Sequence, residues 1–485
     1  MTSPTPTPEA EQIDHTERRV GEERAAWRRT WVVLPILLAV ATVGPRANAQ
    51  VPTRDSVRGG PDTVSLDSLR SRLARAEAAI ALLREQLASE SESAVHTRSR
   101  FRVEISAQVL ANAFATYGRV NNTDVPQTVL APPIGGTTPP SSDAVGVTVR
   151  QTRIGAAASV TDVLGATFAG DVDFDLFGGV QNGPGDRRLF PEPRLRTARA
   201  RLVWRRTEVM AGSDTPLISD LNPLSLAAIG IPDFSGAGNL WNWLGQLRLT
   251  QQLATLGRGT RQARIAIQAA VMAPYVNQLA PSEPDAVDAG ERSRRPALEG
   301  RISARWGADG GVTVSEALIG DRGGELGIGV HRAWLTTGAG AITESRALSL
   351  DAHVVPVRGV ELRGEAYAGR LLRGLGGGAI AQNFGTAPIG SPAGTLGPPI
   401  RDVAGWAQVN AQPHPTVITG AGCGIDRPDP DDSPTRLQNT VCALHADWRP
   451  AQPLVFGVEY RYLATRFAAG TFRARHVNLV FGFEL

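Results

Sequence analysis

Side-chain polarity alternates with a period of two along most of this chain. In residues 164–175 the even positions are apolar or small, whereas the odd positions include Thr167, Asp171, Asp173 and Asp175. Successive side chains of a β-strand point to opposite faces, so this segment predicts a strand with one apolar and one hydrophilic face. Three carboxylates on one face need contact with water or cations. The pattern therefore places the strand between an apolar phase and an aqueous one.

The same alternation recurs through residues 101–485. The clearest further segments are 101–118, 196–204, 245–256, 261–273, 297–306, 346–355, 360–372, 417–425, 440–448 and 454–467. Such segments, separated by turns, are typical of a transmembrane β-barrel. We count about seventeen candidates, but a closed barrel with both chain ends on one side needs an even number. Because glycine pairs divide the region 312–334, we expect one strand fewer there and predict an all-β, antiparallel barrel of about sixteen strands.

Composition narrows the alternatives. With 52 Gly and 42% hydrophobic residues, the chain is typical of neither a disordered protein nor a helical membrane protein. The formal net charge of +3 gives no support for nucleic-acid binding. All 50 basic residues are Arg, because the sequence contains no Lys. Only 5 Tyr are present, so the aromatic girdles of a barrel are expected to rely on Trp204, Trp306, Trp334, Trp406 and Trp448.

Residues 1–49 are predicted to be a signal peptide with a polar N-terminal extension. Arginines precede an apolar run at 31–43, and the small residues 47–49 follow it, which is the order of a secretory leader. We predict cleavage between Ala49 and Gln50. A membrane anchor is the alternative, but the run is too short to span about 30 Å of hydrocarbon as a helix.

Residues 50–100 are predicted to be a periplasmic linker that contains a helix at 64–88. Its apolar positions alternate spacings of three and four, which is the a/d seam of a coiled coil. A lone helix of this length is marginal in water, so the seam predicts association of several copies, and a trimer is compatible. The alternative is an amphipathic helix lying against the barrel end. The seam residues are Leu66, Leu69, Leu73, Ala76, Ile80, Leu83 and Leu87.

Long connections alternate with short ones, and in such barrels the long loops face the exterior. On this basis the exterior loops are 119–143, 178–193, 216–240, 274–294, 374–400 and 427–436. The segment 216–240 is rich in Leu and Ile and is notably apolar for an exposed loop. We predict that it folds into the lumen or packs at a subunit contact.

The two cysteines, Cys423 and Cys442, flank the loop 427–436 on neighbouring predicted strands and fall on the outward face. In an oxidising compartment this symmetry predicts a cross-strand disulfide, with two free thiols as the alternative. Neither has ligands at metal-site spacing, so no metal or cofactor is predicted. The His residues lie in no recognisable nucleophile or metal motif, so no catalytic residue is predicted and an enzyme is not expected.

With the hydrophilic strand faces turned inward, both signs of charge line the predicted lumen. The basic members are Arg199, Arg201, Arg248, Arg264, Arg301, Arg305 and Arg363. The acidic members are Asp171, Asp173, Asp175, Glu299, Asp351, Glu361 and Glu365. Two interpretations stand at this point: cross-strand ion pairs that brace the wall, or an arginine ladder opposed by carboxylates that selects solutes by charge.

Short motifs in the barrel region resemble those of a known family. They are Arg150-Gln-Thr-Arg153-Ile-Gly, Arg199-Ala-Arg-Leu-Val-Trp204, Gly212-Ser-Asp, Gly364-Glu365-Ala-Tyr-Ala-Gly369, Gly405-Trp406-Ala-Gln408 and Gly424-Ile-Asp426, with Asn439 after them. Together with the predicted leader and coiled coil, they resemble the DcaP-like trimeric porins, relatives of the phosphate-selective porins. The resemblance covers most of the chain from Leu66 onwards.

The resemblance implies a homotrimeric outer-membrane barrel that passes dicarboxylates and related anions, with the loop 216–240 narrowing the channel. Because the phosphate-selective relatives use Lys-rich lumens, the absence of Lys argues against phosphate as a specialised cargo. The expected partners are outer-membrane lipid and lipopolysaccharide, small anionic solutes, and the barrel-assembly machinery, which recognises an apolar C-terminal strand such as the one ending at Leu485.

Three lumen arginines, Arg248, Arg264 and Arg305, have no obvious acidic partner in the sequence. Unpaired arginines and the family resemblance together favour a passive porin with a weak preference for organic anions. The alternative is a structural or adhesive barrel whose lumen is plugged, with the loop 216–240 as the plug.

Overall fold

The computed structural model describes residues 94–96, 102–132, 142–178, 191–257, 262–278, 287–307, 314–315, 318–320, 322–337, 340–392, 395–433 and 435–485. The predicted signal peptide, the cleavage site and the predicted coiled coil at 64–88 lie outside these residues. All that follows concerns the described part of the chain.

The described residues form a closed antiparallel barrel of 16 strands, which confirms the predicted fold class. Strands β1 to β16 are, in order, Arg102–Tyr117, the interrupted strand Ala144–Thr148 with Arg153–Val163, Ala166–Asp175, Arg194–Val203, Thr207–Asp214, Leu244–Leu256, Ala263–Met272, Ala297–Gly307, Gly323–Thr336, Ile342–Val357, Val360–Arg370, Arg401–His414, Val417–Pro428, Arg436–Trp448, Leu454–Phe467 and Gly470–Glu484. Both halves of β2 pair with β1, which is why they count as one strand. A short strand, Ala94–His96, pairs only with the start of β1.

The barrel closes where β1 pairs with β16. The pairing runs in register from Gln108 opposite Glu484 to Tyr117 opposite Arg475. Between β8 and β9, the two-residue strands Val314–Ser315 and Leu318–Ile319 pair only with each other. They are not barrel strands, so the expectation of one strand fewer in the region 312–334 is confirmed.

The outward face of the barrel is apolar. On β9, Leu326, Ile328 and Val330 are 45–53% exposed, whereas the intervening residues are buried toward the lumen. An apolar surface of this extent requires lipid, because soluble monomers rarely expose large contiguous apolar patches. No helix within the described ranges is long and apolar enough to cross a membrane.

Four of the five tryptophans predicted for the girdles, Trp204, Trp306, Trp334 and Trp448, are not buried, which a place in a girdle requires. The fifth was predicted wrongly. Trp406 is only 3% exposed and faces inward, where its ring packs against Phe234 at a centroid distance of 6.0 Å.

Most long connections and most short ones lie at opposite ends of the barrel. The exceptions are the long connection 308–322 at the short-connection end and the short connections 337–341 and 468–469 at the long-loop end. The loops at 118–143, 176–193, 215–243, 273–296 and 371–400 all lie at one end, whereas the connections at 164–165, 358–359 and 415–416 lie at the other. A four-residue helix, Ala289–Arg292, and a 3-10 turn, Arg373–Leu375, belong to the long loops. This separation agrees with the predicted alternation of loop lengths.

Candidate functional site: the barrel lumen

The connection between β5 and β6, residues 215–243, folds into the lumen, and we call it L3. Its residues Leu217, Ile218 and Leu240 are 0–1% exposed and share an apolar cluster with Leu335 of β9 and Tyr367 of β11. Of the two locations predicted for the segment 216–240, the structure shows the lumen.

Side chains of the wall bind the backbone of L3. Glu365 accepts a hydrogen bond from the Leu221 amide at 2.7 Å. Gln408 accepts from the Leu224 amide at 2.8 Å and donates to the carbonyl of the same residue at 2.9 Å. Because L3 has no strand partners of its own, these side chains satisfy backbone groups that would otherwise be buried and unpaired. The wall therefore holds L3 in one position.

The far part of L3 is bound in the same manner. Gln151, in the break of β2, accepts from the amides of Ile229 and Gly230 at 2.8 Å and donates to the Ala227 carbonyl at 2.9 Å. Asn439 of β14 donates to the Gly236 carbonyl at 2.6 Å. L3 is thus attached to strands from both ends of the chain.

Apolar residues on the inward strand faces mark where L3 packs. Leu226 and Ile229 cluster with Leu110, Val455 and Val480. The inward apolar set in contact with L3 or its neighbours is Leu110, Trp406, Val441, Leu463, Ala474 and Val480. In an open aqueous pore these apolar side chains would be exposed to water. Apolar residues at inward-facing strand positions therefore indicate where L3 covers the wall, and this pattern could have been recognised in the sequence.

A buried ionic cluster anchors the middle of L3. The Arg461 guanidinium contacts Asp233 of L3 at 2.8 Å and Glu459 of its own strand, while the Ser225 hydroxyl donates to Glu459. Complete burial, reinforced by the Glu459 carboxylate, raises the pKa of Asp233 to about 8 although Arg461 opposes the shift.

Much of the predicted charge in the lumen lies beneath L3. Arg301 binds Asp351 at 2.6 Å and approaches Asp220 of L3 at 3.7 Å. Arg363 binds Glu361 and donates to the Asn222 carbonyl of L3 at 2.8 Å. Nine members of the predicted set are buried, namely Arg248, Arg301, Arg363, Asp173, Asp175, Glu299, Asp351, Glu361 and Glu365. They face inward as expected, and their contacts in the structure hold L3 and brace the wall.

Other inward-facing arginines are not buried. Arg199 and Arg201 bind the two oxygens of Asp171 at 2.8 and 2.9 Å. Arg153 binds Asp173 at 2.6 Å. These pairs join β2, β3 and β4, and we call the surface formed by Arg153, Arg199, Arg201, Arg264 and Arg305 the arginine wall.

Two of the three arginines expected to be unpaired have partners. Arg248 approaches Asp214 at 3.3 Å, and Arg305 binds Glu325 at 2.6 Å, so the sequence-based expectation was wrong for both. Arg264 makes no ion pair with any residue in the described ranges. Asp175 is buried against Arg194 at 2.6 Å and faces no open space.

Cys423 and Cys442 stand opposite each other on β13 and β14 and are joined by a disulfide on the outward face. Among the described residues, no group of three or more His, Cys, Asp or Glu is arranged to hold a metal ion.

The fold and the inserted L3 define a porin-type transmembrane β-barrel. No protein-family model and no curated protein matches the sequence. The solved outer membrane channel DcaP of Acinetobacter baumannii has a similar fold: the TM-score is 0.56 at 12% identity, over 81% of this chain and 100% of that chain. Two further solved structures are less similar. An anion-selective porin of Comamonas acidovorans gives a TM-score of 0.48 at 10% identity, over 79% of this chain and 100% of that chain. OmpT of Vibrio cholerae gives a TM-score of 0.45 at 10% identity, over 81% of this chain and 100% of that chain. At these identities the likeness establishes the fold alone.

Proposed function

We propose that this protein is an outer-membrane channel for passive diffusion of small solutes, with a weak preference for organic anions such as dicarboxylates. The observation that carries the proposal is the unequal exposure of the ion pairs on the arginine wall. Arg153 is 37% exposed while its partner Asp173 is 12% exposed, and Arg305 is 50% exposed while Glu325 is 13% exposed. At these pairs solutes therefore meet the guanidinium donors more than the carboxylate oxygens.

Arginine suits this role for a chemical reason. A guanidinium keeps its charge at every accessible pH and presents a planar fork of donors that matches a carboxylate. The arginines of the wall remain partly neutralised by Asp171, Asp173 and Glu325 beneath them, so each binds an anion weakly. Weak binding allows a solute to enter and to leave, which a channel requires.

The setting of the channel follows from the same proposal. The barrel lies in the outer membrane as a homotrimer, in contact with lipid and lipopolysaccharide, after insertion by the barrel-assembly machinery. Its long loops face the exterior, and the coiled coil predicted at 64–88 would then lie in the periplasm. Passive diffusion needs no catalytic group, cofactor or metal.

Planar bilayer recording in a salt gradient tests the selectivity. The wild type is expected to give a reversal potential of the sign that indicates anion selectivity. The double variant Arg264→Gln/Arg305→Gln should move this potential toward zero, because the two substitutions remove positive charge from the arginine wall. Arg475→Gln, on the outward face, serves as the matched control and should leave the potential unchanged. A cation-selective wild type would refute the anion preference.

A plugged barrel is the second candidate, and one observation favours it. L3 covers much of the inward wall with apolar contacts, and its Leu217 and Ile218 are fully buried. The same recording separates the two: an open homotrimer gives stepwise currents, commonly in threes, whereas a plugged barrel gives none.

A further inference from the structure

Four arginines stand side by side on the outward face of the barrel. Arg332 of β9 lies directly opposite Arg346 of β10, and Arg346 lies opposite Arg370 of β11. Arg370 in turn lies opposite Arg401 of β12. We call these four residues the arginine row. Like charges placed directly opposite each other in a sheet are destabilising, so the row needs anions close by.

The protein supplies only part of the required negative charge. Arg401 binds Asp429 at 2.8 Å and Asp432 at 2.7 Å and is neutralised. Arg332 binds Glu344 at 2.6 Å, while Arg370 donates to the backbone carbonyl of the same glutamate at 2.9 Å. Among the described residues, the Glu344 carboxylate thus pairs with Arg332 alone, and neither Arg346 nor Arg370 has a carboxylate partner.

The side chain of Arg346, in the middle of the row, is exposed and makes no hydrogen bond or ion pair with any described residue. A cation flanked on both sides by cations and left without a partner is a position for an external anion. Without such an anion, only water would be available to solvate the Arg346 guanidinium.

The row lies at the edge of the apolar band. The next outward residues along the strands, away from the long loops, are Val330 and Leu348, which are 53% and 54% exposed. On the other side of the row is Trp334, whose ring is contacted by the guanidinium groups of Arg332 at 5.1 Å and Arg295 at 5.7 Å. Tryptophan concentrates at the level of lipid headgroups, which places the arginines at the same level.

We propose that the arginine row is a binding site for the phosphate groups of an anionic glycolipid of the outer leaflet. The forks of Arg332, Arg346 and Arg370 bind phosphate oxygens bidentately. Adjacent strands are about 4.8 Å apart, so these three arginines span about 10 Å and can engage two phosphates of one headgroup. Val330 and Leu348 lie where the acyl chains begin.

The site faces lipid and not a neighbouring subunit. A row of small outward residues, Ala158, Gly170, Ala200 and Ala211, runs across β2 to β5 and offers a flat surface for subunit contact. That surface is on the far side of the barrel from β9 to β12. The lipid site relies on the outer-membrane location proposed above but does not depend on channel activity.

Titration of the purified full-length protein in detergent with bisphosphorylated lipid A tests the site. Each arginine near a membrane surface contributes about fivefold in affinity, so Arg332→Gln/Arg346→Gln/Arg370→Gln should weaken binding about 100-fold. Arg346→Gln alone should weaken it about fivefold, and this variant removes no internal contact. Glu344→Gln should tighten binding, because it removes the competing carboxylate.

The matched control is Arg475→Gln, which replaces an outward arginine just above the apolar Val477 but with tyrosines as cross-strand neighbours. It should change the affinity by less than twofold. Dephosphorylated lipid A should not compete, and inorganic phosphate alone should compete only at far higher concentration, which separates a lipid site from a free-anion site.

Three results would overturn the proposal. The first is that dephosphorylated lipid A binds as tightly as lipid A, and the second is that Arg346→Gln and the triple variant both bind lipid A with wild-type affinity. The third is that the triple variant loses the oligomer but still binds lipid A. The last result, read by native mass spectrometry, would assign the row to a subunit contact. Bilayer currents of Arg346→Gln should equal those of the wild type, so failure of the channel proposal is seen separately.

Discussion

Glycine at position 424 leaves the space into which L3 docks. A Cβ at Gly424 would overlap the Ala237 carbonyl oxygen of L3 and would lie 2.7 Å from Cβ of Phe234. Gly424→Ala should therefore displace the L3 segment around Phe234, at a cost of about 1–3 kcal/mol typical of overpacking. We expect lower thermal stability together with a larger and noisier single-channel conductance.

The control for this substitution is Gly300→Ala, on the outward side of β8. There an added Cβ would meet Val330 at an ordinary 3.5 Å, so stability and conductance should remain those of the wild type. Identical behaviour of the two variants would contradict the assignment of Gly424 to L3 docking.

The ion-pair partner of a residue was harder to predict than the strand face on which the residue lies. The cross-strand neighbourhood of Asp171 and Arg199 could be inferred because both lie in clearly alternating segments, and the structure places them directly opposite each other. Arg305 also faces Glu325 directly. Its partner was missed because Glu325 lies in the region 312–334, where glycine pairs obscured the strand boundary and hence the register.

At the scale of elements, the sequence predicts the bounds of the strands but not the position of L3. A period of two is local, so the segment 454–467 predicts its strand with the bounds Leu454–Phe467 that the structure has. The apolar composition of 216–240 predicted burial, but its position depends on Gln151, Glu365 and Gln408, which come from strands far apart in the sequence. No local pattern contains that information.

The docking of L3 should depend on pH through Asp233. The pKa of this buried carboxyl is raised to about 8 from an ordinary 3.8. A raised pKa in the folded state means that the folded protein retains a proton which the unfolded chain releases. Its contribution to stability is therefore complete below about 3.8 and is lost as pH rises through about 8.

Asp233→Asn should flatten the decline in melting temperature between pH 5 and pH 9, because the amide cannot lose a proton. Asp220→Asn is the control, since Asp220 also belongs to L3 but is 29% exposed in its side chain and lies near Arg301. A decline of the same size in the wild type and in Asp233→Asn would show that another group governs the dependence.

At the scale of the molecule, the outward surface is divided between a flat side and a charged side. Ala158, Gly170, Ala200 and Ala211 are consecutive cross-strand neighbours on β2 to β5, and small side chains let two barrels approach closely. The arginine row lies across the barrel from this surface. The family resemblance seen in the sequence predicted a trimer. Identifying the surface that would form it, however, required the pairing register of four strands.

Ala200→Phe should weaken the proposed homotrimer while leaving the barrel folded, because a bulky apolar side chain is accepted by lipid but prevents close contact between subunits. Ala366→Phe makes the same change on β11, two outward positions below Arg370 of the arginine row, and should leave the oligomer intact. Native mass spectrometry of the detergent-solubilised protein gives the oligomeric state, and circular dichroism checks the barrel. If Ala366→Phe dissociated the oligomer and Ala200→Phe did not, the subunit contact would belong to the charged side, and the lipid site proposed for the arginine row would fall with it.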